Sequence, residues 1–228
     1  MLGTALAVLP GTERGVHLPR CHSPDWAYPG PEGAPMTEIV LFHSVLGVRA
    51  GVRDIAARFA AAGHGVHVID LFDGTSFDEY EPAFAHVQSL GGDEALIEKA
   101  AAAVADLPTE VVYAGLSMGA ASAVYLAATR PGARGLLGLH GAVSPHWFGV
   151  SSWPADVPVQ VHEAEHDPFR EPDEIAALGA SVRAGGAQFE HFVYPDARGH
   201  LFSDASLPNE YDRDAAALML SRLLEFVK

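Results

Sequence analysis

In this chain, the residue whose surroundings point most clearly to catalysis is a serine that lies between two glycines. Ser117 is the centre of the run GLSMG at 115–119, which follows the pattern G-x-S-x-G. The apolar run at 111–114 indicates a strand, and the alanine-rich run at 120–129 indicates a helix. Small residues on both sides of the serine allow a sharp strand-to-helix turn that exposes the hydroxyl. Such a hydroxyl becomes a nucleophile when a histidine takes its proton and a carboxylate orients that histidine.

Two strand ends downstream of Ser117 supply an acid and a base in the order that this chemistry requires. The apolar run at 158–163 leads into Asp167, and the run at 189–194 leads into His200. Because parallel strands end at the same edge of a sheet, we expect both side chains to lie near Ser117. The sequence therefore predicts a catalytic triad of Ser117, Asp167 and His200. Two other residues near these strand ends could be the acid: Glu165, which is the second choice, and Asp196. His166 is the other candidate for the base.

Hydrolysis of an ester through a serine also requires an oxyanion hole, which backbone N–H groups can form. Met118 directly follows the serine at the start of the predicted helix, where its N–H has no partner within the helix. The second N–H is expected from the loop at 43–47, which follows the first strand of the domain. Val45 is the predicted donor in that loop, and Leu46 is the alternative.

A second motif indicates a different chemistry. Residues 162–166 read H-E-A-E-H, which matches the H-E-x-x-H signature of zinc proteases. That signature requires His162 and His166 to lie one turn apart on a helix, but here it follows a β-type run and ends at Asp167-Pro168. On a strand the two histidines are roughly 13 Å apart, too far to share one metal ion. We therefore predict no metal site here.

The elements that must position these residues alternate along the chain. Apolar, β-branched runs separated by helices predict an α/β fold with a mostly parallel, twisted sheet and helices on both of its faces. Residues 73–92 are the least periodic segment, and we expect a loop with a short helix beside the rim of the site. The predicted strands are 38–43, 66–72, 111–114, 135–139, 158–163 and 189–194, and the predicted helices are 52–62, 93–107, 120–129, 171–184 and 209–227.

Composition limits the remaining possibilities. Proline and glycine are dense in residues 1–35, so we predict an N-terminal extension there, poorly ordered or an artefact of an upstream start, and a single domain over 36–228. The formal net charge of −15 argues against a nucleic-acid partner, and no apolar run is long enough to span a membrane. Because Cys21 is the single cysteine, no internal disulfide can form, and a cytoplasmic location is expected.

The motifs together resemble the dienelactone hydrolase family of α/β-hydrolases over about residues 37–227. The resemblance implies an α/β-hydrolase fold and activity on esters or lactones. The namesake enzymes use a cysteine nucleophile and carry a glutamate at the position of Ser44, so the resemblance implies a variant with serine as nucleophile. The basic residues that hold the namesake's substrate have no clear counterparts here, so we expect a substrate other than dienelactone. The matching segments are 43–47, 53–56, 70–72, 115–119, 164–167, 194–195 and 199–202.

The sequence therefore predicts a serine hydrolase that cleaves a small carboxylic ester or lactone through an acyl-enzyme on Ser117, without a metal or organic cofactor. Three other classes stay open: a non-catalytic binding protein of the same fold, a metal-dependent hydrolase that uses His162 and His166, and, as the weakest, a nucleotide-binding protein, since no glycine-rich phosphate loop follows the first strand. A fluorophosphonate probe distinguishes the first alternative, and a chelator distinguishes the second. The predicted substrate pocket contains Ser44, Leu46, His140, His146, Trp147, Phe148 and Phe169.

Overall fold

A computed structural model describes the backbone at residues 27–28 and the chain over 37–228. The other residues of the predicted extension lie outside this described part, and the domain boundary near residue 36 stays a prediction. The described residues form a sheet of seven strands in the order β1-β3-β2-β4-β5-β6-β7. The strands are β1 (Ala27–Tyr28), β2 (Glu38–Phe42), β3 (Gly65–Ile69), β4 (Val111–Leu116), β5 (Gly135–Leu139), β6 (Val159–Ala164) and β7 (Phe189–Tyr194).

The sheet is mostly parallel, as predicted. β1 pairs antiparallel with β3 at one edge, and the pairings from β3 through β7 are parallel. The connecting helices are α1 (Ala50–Ala61), α2 (Tyr80–Ser89), α3 (Gly92–Ala103), α4 (Met118–Thr129), α5 (Pro172–Ala184) and α6 (Arg213–Phe226), with a short 3₁₀ helix at Pro145–Phe148. None of the helices in the described ranges combines the length and the apolar character required to cross a bilayer.

Two hydrophobic cores lie on opposite faces of the sheet, because successive strand residues point to opposite sides. In β2, Val40 and Phe42 belong to the core that α2, α3, α4 and α5 cover. Ile39 and Leu41 belong to the core that α1 and α6 cover. All four side chains are fully buried, which explains why the strand is apolar at consecutive positions.

The segment predicted as a loop with a short helix is more regular than expected. It contains the ten-residue helix α2, and α3 begins directly after it at Gly92. The prediction of only a short helix was too cautious, because Pro82 reads as a turn residue in the sequence but lies in the first turn of α2, where its missing N–H costs no helical hydrogen bond. The two buried residues of α2, Ala83 and Val87, join the core above the sheet. Docking onto this core therefore stabilises a helix whose local sequence signal is poor.

Candidate active site

The turn that carries Ser117 lies where β4 ends and α4 begins. Ser117 has φ 52° and ψ −116°, a sparsely populated conformation for a residue with a side chain. The glycines of the pentapeptide permit this turn because other backbone lies against them. A Cβ on Gly115 would be 2.2 Å from the oxygen of Gly119, and a Cβ on Gly119 would be 2.4 Å from the oxygen of His43. The pattern G-x-S-x-G is thus a packing requirement at this turn.

Three side chains from three strand ends meet at this edge of the sheet. The Oγ atom of Ser117 lies 2.6 Å from Nε2 of His200, and Nδ1 of His200 lies 2.5 Å from Oδ2 of Asp167. An ionised carboxylate only accepts hydrogen bonds, so Nδ1 carries the proton and Nε2 is free to accept from the serine hydroxyl. The backbone N–H of Phe169 donates to the other carboxylate oxygen at 2.7 Å, which fixes the orientation of Asp167. Asp167 and His200 are both buried.

The alternative acid and base residues lie away from this arrangement. Glu165, His166 and Asp196 are exposed to solvent.

His162 belongs to the buried strand β6, and its two ring nitrogens lie 2.9 Å from the Tyr194 hydroxyl and 2.8 Å from the side-chain oxygen of Gln160. The H-E-x-x-H run is therefore a strand followed by a turn, and it does not form the helical face that the zinc signature requires.

The two predicted oxyanion donors border the same cavity as Ser117 and His200. Met118 is the first residue of α4, so its N–H has no acceptor within the helix. In the part of the chain that the structure describes, the Val45 N–H also has no protein acceptor. Both N–H groups are therefore available to a ligand, as an oxyanion hole requires.

His43, which the sequence did not single out, holds the peptide that contains the Val45 N–H. Nδ1 of His43 donates to the carbonyl oxygen of Ser44 at 2.6 Å, and the N–H of Gly47 donates to the same oxygen at 3.0 Å. Nε2 of His43 accepts from the N–H of Leu71 at 2.9 Å. Burial lowers the pKa of His43, and a neutral ring is what this pairing of one donor and one acceptor requires. The Ser44–Val45 peptide is thus fixed by its carbonyl.

A cavity of about 450 Å³ opens beside Ser117 and His200. Three of the predicted pocket residues, His140, Trp147 and Phe169, line it. The other four predicted residues, Ser44, Leu46, His146 and Phe148, are absent from this lining. The Ser44 hydroxyl accepts from the Leu46 N–H at 3.2 Å, and both side chains are buried in the turn after β2. The turn folds these two side chains inward, whereas Val45 between them borders the cavity.

His140 is a buried base at the back of the cavity. It follows β5 with a φ of 63°, and its Nε2 lies 2.7 Å from the Ser203 hydroxyl. Burial, assisted by the nearby rings of His200 and His162, lowers the pKa of His140 well below its usual range. His140 is therefore uncharged at neutral pH and adds no positive charge beside His200.

Part of the cavity wall comes from α2 and α3, which the sequence prediction left without pocket residues. Tyr80, Phe84 and Val87 on α2, and Ile97 on α3, line the cavity. Tyr80 is anchored because its hydroxyl donates to both carboxylate oxygens of Glu210, at 2.9 and 3.0 Å. The aromatic residues at 77, 80 and 84 were the sequence signal for this wall. The sequence did not show which of them share a helix, so they could not be assigned to one face.

The strand order, the strained turn at Ser117 and the position of the site at the carboxyl ends of the strands define an α/β-hydrolase fold. The family model of the dienelactone hydrolase family matches residues 27–228, and the chain therefore belongs to that family. The predicted family and fold class are confirmed. Membership of a hydrolase family indicates an enzyme that acts on a small-molecule substrate. The comparison with curated proteins gave no match.

Solved structures with the same fold include esterases and hydrolases. A putative dienelactone hydrolase from Klebsiella pneumoniae subsp. pneumoniae MGH 78578 is 20% identical, with a TM-score of 0.63 over 87% of this chain and 90% of that one. A dienelactone hydrolase-like promiscuous phosphotriesterase, P91, from metagenomic libraries is 21% identical, with a TM-score of 0.70 over 86% of this chain and 87% of that one. Thermogutta terrifontis esterase 2, phosphorylated by paraoxon, is 16% identical, with a TM-score of 0.58 over 88% and 86%. At these identities the similarity establishes the fold alone.

Proposed function

We propose that this protein is a serine hydrolase that cleaves a small carboxylic ester or lactone through an acyl-enzyme on Ser117. The observation that carries the proposal is the continuous hydrogen-bonded chain from Asp167 through His200 to the Ser117 hydroxyl, with distances of 2.5 and 2.6 Å. This chain of hydrogen bonds ends in a cavity bordered by Val45 and Met118, whose backbone N–H groups have no protein acceptor within residues 37–228. This arrangement supports acyl transfer, which requires a nucleophile, a base, an acid and oxyanion donors within one site.

In the proposed mechanism, His200 takes the proton from Ser117 as the serine oxygen bonds to the carbonyl carbon of the substrate. The carbonyl oxygen becomes negative and is stabilised by the N–H groups of Val45 and Met118. Asp167 stabilises the imidazolium and keeps its orientation. The bond to the alcohol oxygen then breaks, and His200 returns the proton to that oxygen. Water attacks the acyl-enzyme by the same steps in reverse and releases the acid.

The size of the site and the structural neighbours support a small ester. A cavity of about 450 Å³ falls within the range of small-molecule sites. One neighbour is described as an esterase that paraoxon phosphorylates, and another as a promiscuous phosphotriesterase. We propose that an organophosphate also labels this chain, and that the labelled residue is Ser117.

The test compares Ser117→Ala with the wild-type enzyme in hydrolysis of p-nitrophenyl acetate. We expect kcat to fall by at least about 10³-fold, because the nucleophile is lost. Ser122→Ala is the matched control, since Ser122 is a buried serine on α4, the helix that follows the nucleophile. Intact mass after treatment with a fluorophosphonate should increase by one adduct in the wild type and in Ser122→Ala, but not in Ser117→Ala.

The same measurements, repeated with a metal chelator, separate the other function classes. Full activity in Ser117→Ala refutes the proposal. Absence of both labelling and turnover in the wild type indicates a non-catalytic binding protein. Loss of activity with a chelator, with labelling unchanged, indicates a metal-dependent hydrolase.

A further inference from the structure

Three aromatic rings stand together on the side of the cavity next to His200, and we call them the aromatic wall: Tyr80, Phe84 and Phe169. The ring centroids of Tyr80 and Phe169 are 5.1 Å apart, and those of Phe84 and Phe169 are 6.0 Å apart. Phe169 contacts the His200 ring edge-to-face at 5.0 Å, and Tyr80 lies 6.2 Å from it. The wall therefore begins at the imidazole and extends toward solvent through Phe84.

The wall presents apolar surface that the protein itself does not cover. Phe84 and Phe169 remain 45% and 43% exposed, although both are large apolar side chains that line the cavity. Two hydrogen bonds hold parts of the wall in place: the Tyr80 hydroxyl donates to Glu210, and the backbone N–H of Phe169 donates to Asp167. A half-exposed aromatic surface inside a cavity favours a ligand that carries an aromatic or similarly flat apolar group.

The chemistry of the site determines which half of an ester meets the wall. In the proposed reaction, Nε2 of His200 gives its proton to the alcohol oxygen as the bond from that oxygen to the carbonyl carbon breaks. The alcohol oxygen must therefore lie beside Nε2, while the carbonyl oxygen lies against the Val45 and Met118 N–H groups. Because Phe169 and Tyr80 lie beside the His200 ring, the group attached to the alcohol oxygen is the one that reaches Phe169.

We infer that the enzyme prefers esters whose alcohol portion carries an aromatic ring. This inference rests on the proposed function, since it uses the role of His200 in that mechanism. It assigns Phe84 and Phe169 as specificity-determining residues, which bind the alcohol portion and take no part in proton transfer.

Two isomeric esters test the inference directly. Benzyl acetate carries its ring on the alcohol side, whereas methyl phenylacetate carries the same ring on the acyl side. To correct for intrinsic reactivity, the kcat/KM of each ester is divided by its rate constant for hydrolysis by hydroxide. We expect the corrected value for benzyl acetate to exceed that for methyl phenylacetate by about tenfold or more, because one well-packed apolar group discriminates by about that factor. Equal values or the reverse preference overturn the inference.

Variants of the wall connect the preference to its residues. In Phe84→Ala and Phe169→Leu, the ratio of the two kcat/KM values should fall about threefold to tenfold, whereas Phe169→Tyr, which keeps the ring, should retain it. Leu218→Ala is the control, because Leu218 is an equally exposed apolar residue, at 48%, on α6. A ratio that does not change in either wall variant contradicts the assignment.

Labelling distinguishes failure of this inference from failure of the proposed function. If Ser117 is labelled by a fluorophosphonate and the enzyme hydrolyses p-nitrophenyl acetate, but neither isomer is hydrolysed or no preference is seen, the serine mechanism stands and the inference is wrong. If Ser117 is not labelled and p-nitrophenyl acetate is not hydrolysed, the proposed function fails and the inference fails with it.

Discussion

The role of His43 in holding the oxyanion donor can be tested by replacing it with phenylalanine. His43→Phe keeps a buried ring but removes both of its hydrogen bonds. The Ser44 carbonyl then retains only the 3.0 Å bond from Gly47 and loses the 2.6 Å bond from the imidazole. Since the N–H of Val45 belongs to the same rigid peptide as that carbonyl, a weaker hold on the carbonyl allows the N–H to turn away from the oxyanion.

The size of the effect follows from what is lost. Deleting an oxyanion donor outright costs about 10²–10³ in kcat. His43→Phe keeps the donor and removes one hydrogen bond that orients it, with a net value of about 0.5–1.5 kcal/mol. We therefore expect kcat for p-nitrophenyl acetate to fall about twofold to tenfold, with KM nearly unchanged, because the oxyanion forms only in the transition state. The Leu71 N–H also loses its acceptor, which should lower the free energy of unfolding by about 1–3 kcal/mol.

The matched control is His64→Phe. His64 is also a buried histidine, but it lies at the opposite end of the sheet, just before β3 begins at Gly65. Steady-state kinetics and urea unfolding are measured for both variants, with circular dichroism to verify folding. A folded His43→Phe enzyme with the wild-type kcat would refute the reasoning, because Gly47 and loop packing alone would then suffice to hold the peptide.

The positions of Ser117, Asp167 and His200 were predictable because each follows a strand with a clear apolar run. Parallel topology places the carboxyl ends of such strands at one edge, so three local patterns were enough to expect that these side chains meet. The pairing of Phe42 with Gly115 likewise brings the loop after β2 next to the serine turn. No long-range information was required beyond the strand direction.

The cavity wall was harder to predict because it depends on tertiary packing. The helix that supplies Tyr80 and Phe84 buries only Ala83 and Val87, and it is stabilised by docking these two residues onto the core. The inward rotation of Ser44 and Leu46 depends on a single turn in which the Ser44 hydroxyl accepts the Leu46 N–H. Which side of a loop faces a cavity is decided by such bonds, and residue types alone do not show it.

Two further predictions concern groups outside the triad. Glu210 accepts hydrogen bonds from the Tyr80 hydroxyl and, at 2.7 Å, from the N–H of Leu201 next to His200, so Glu210→Ala should lower kcat for p-nitrophenyl acetate about tenfold. Glu210→Gln keeps an acceptor oxygen and should recover part of this loss. Equal rates in the two variants would contradict this positioning role. Burial, with smaller contributions from Arg222 and His191, lowers the pKa of His162 from 6.5 to about 3. The unfolded chain therefore binds a proton that the folded chain excludes, so stability is complete above about pH 6.5 and decreases as the pH falls toward 3. At pH 5, His162 should therefore lower the free energy of unfolding by about 2 kcal/mol. Urea unfolding at pH 7 and pH 5 gives the change in the free energy of unfolding between the two pH values, and this change should be smaller by that amount in His162→Gln than in the wild type. The same change in both proteins would mean that His162 is not the group responsible.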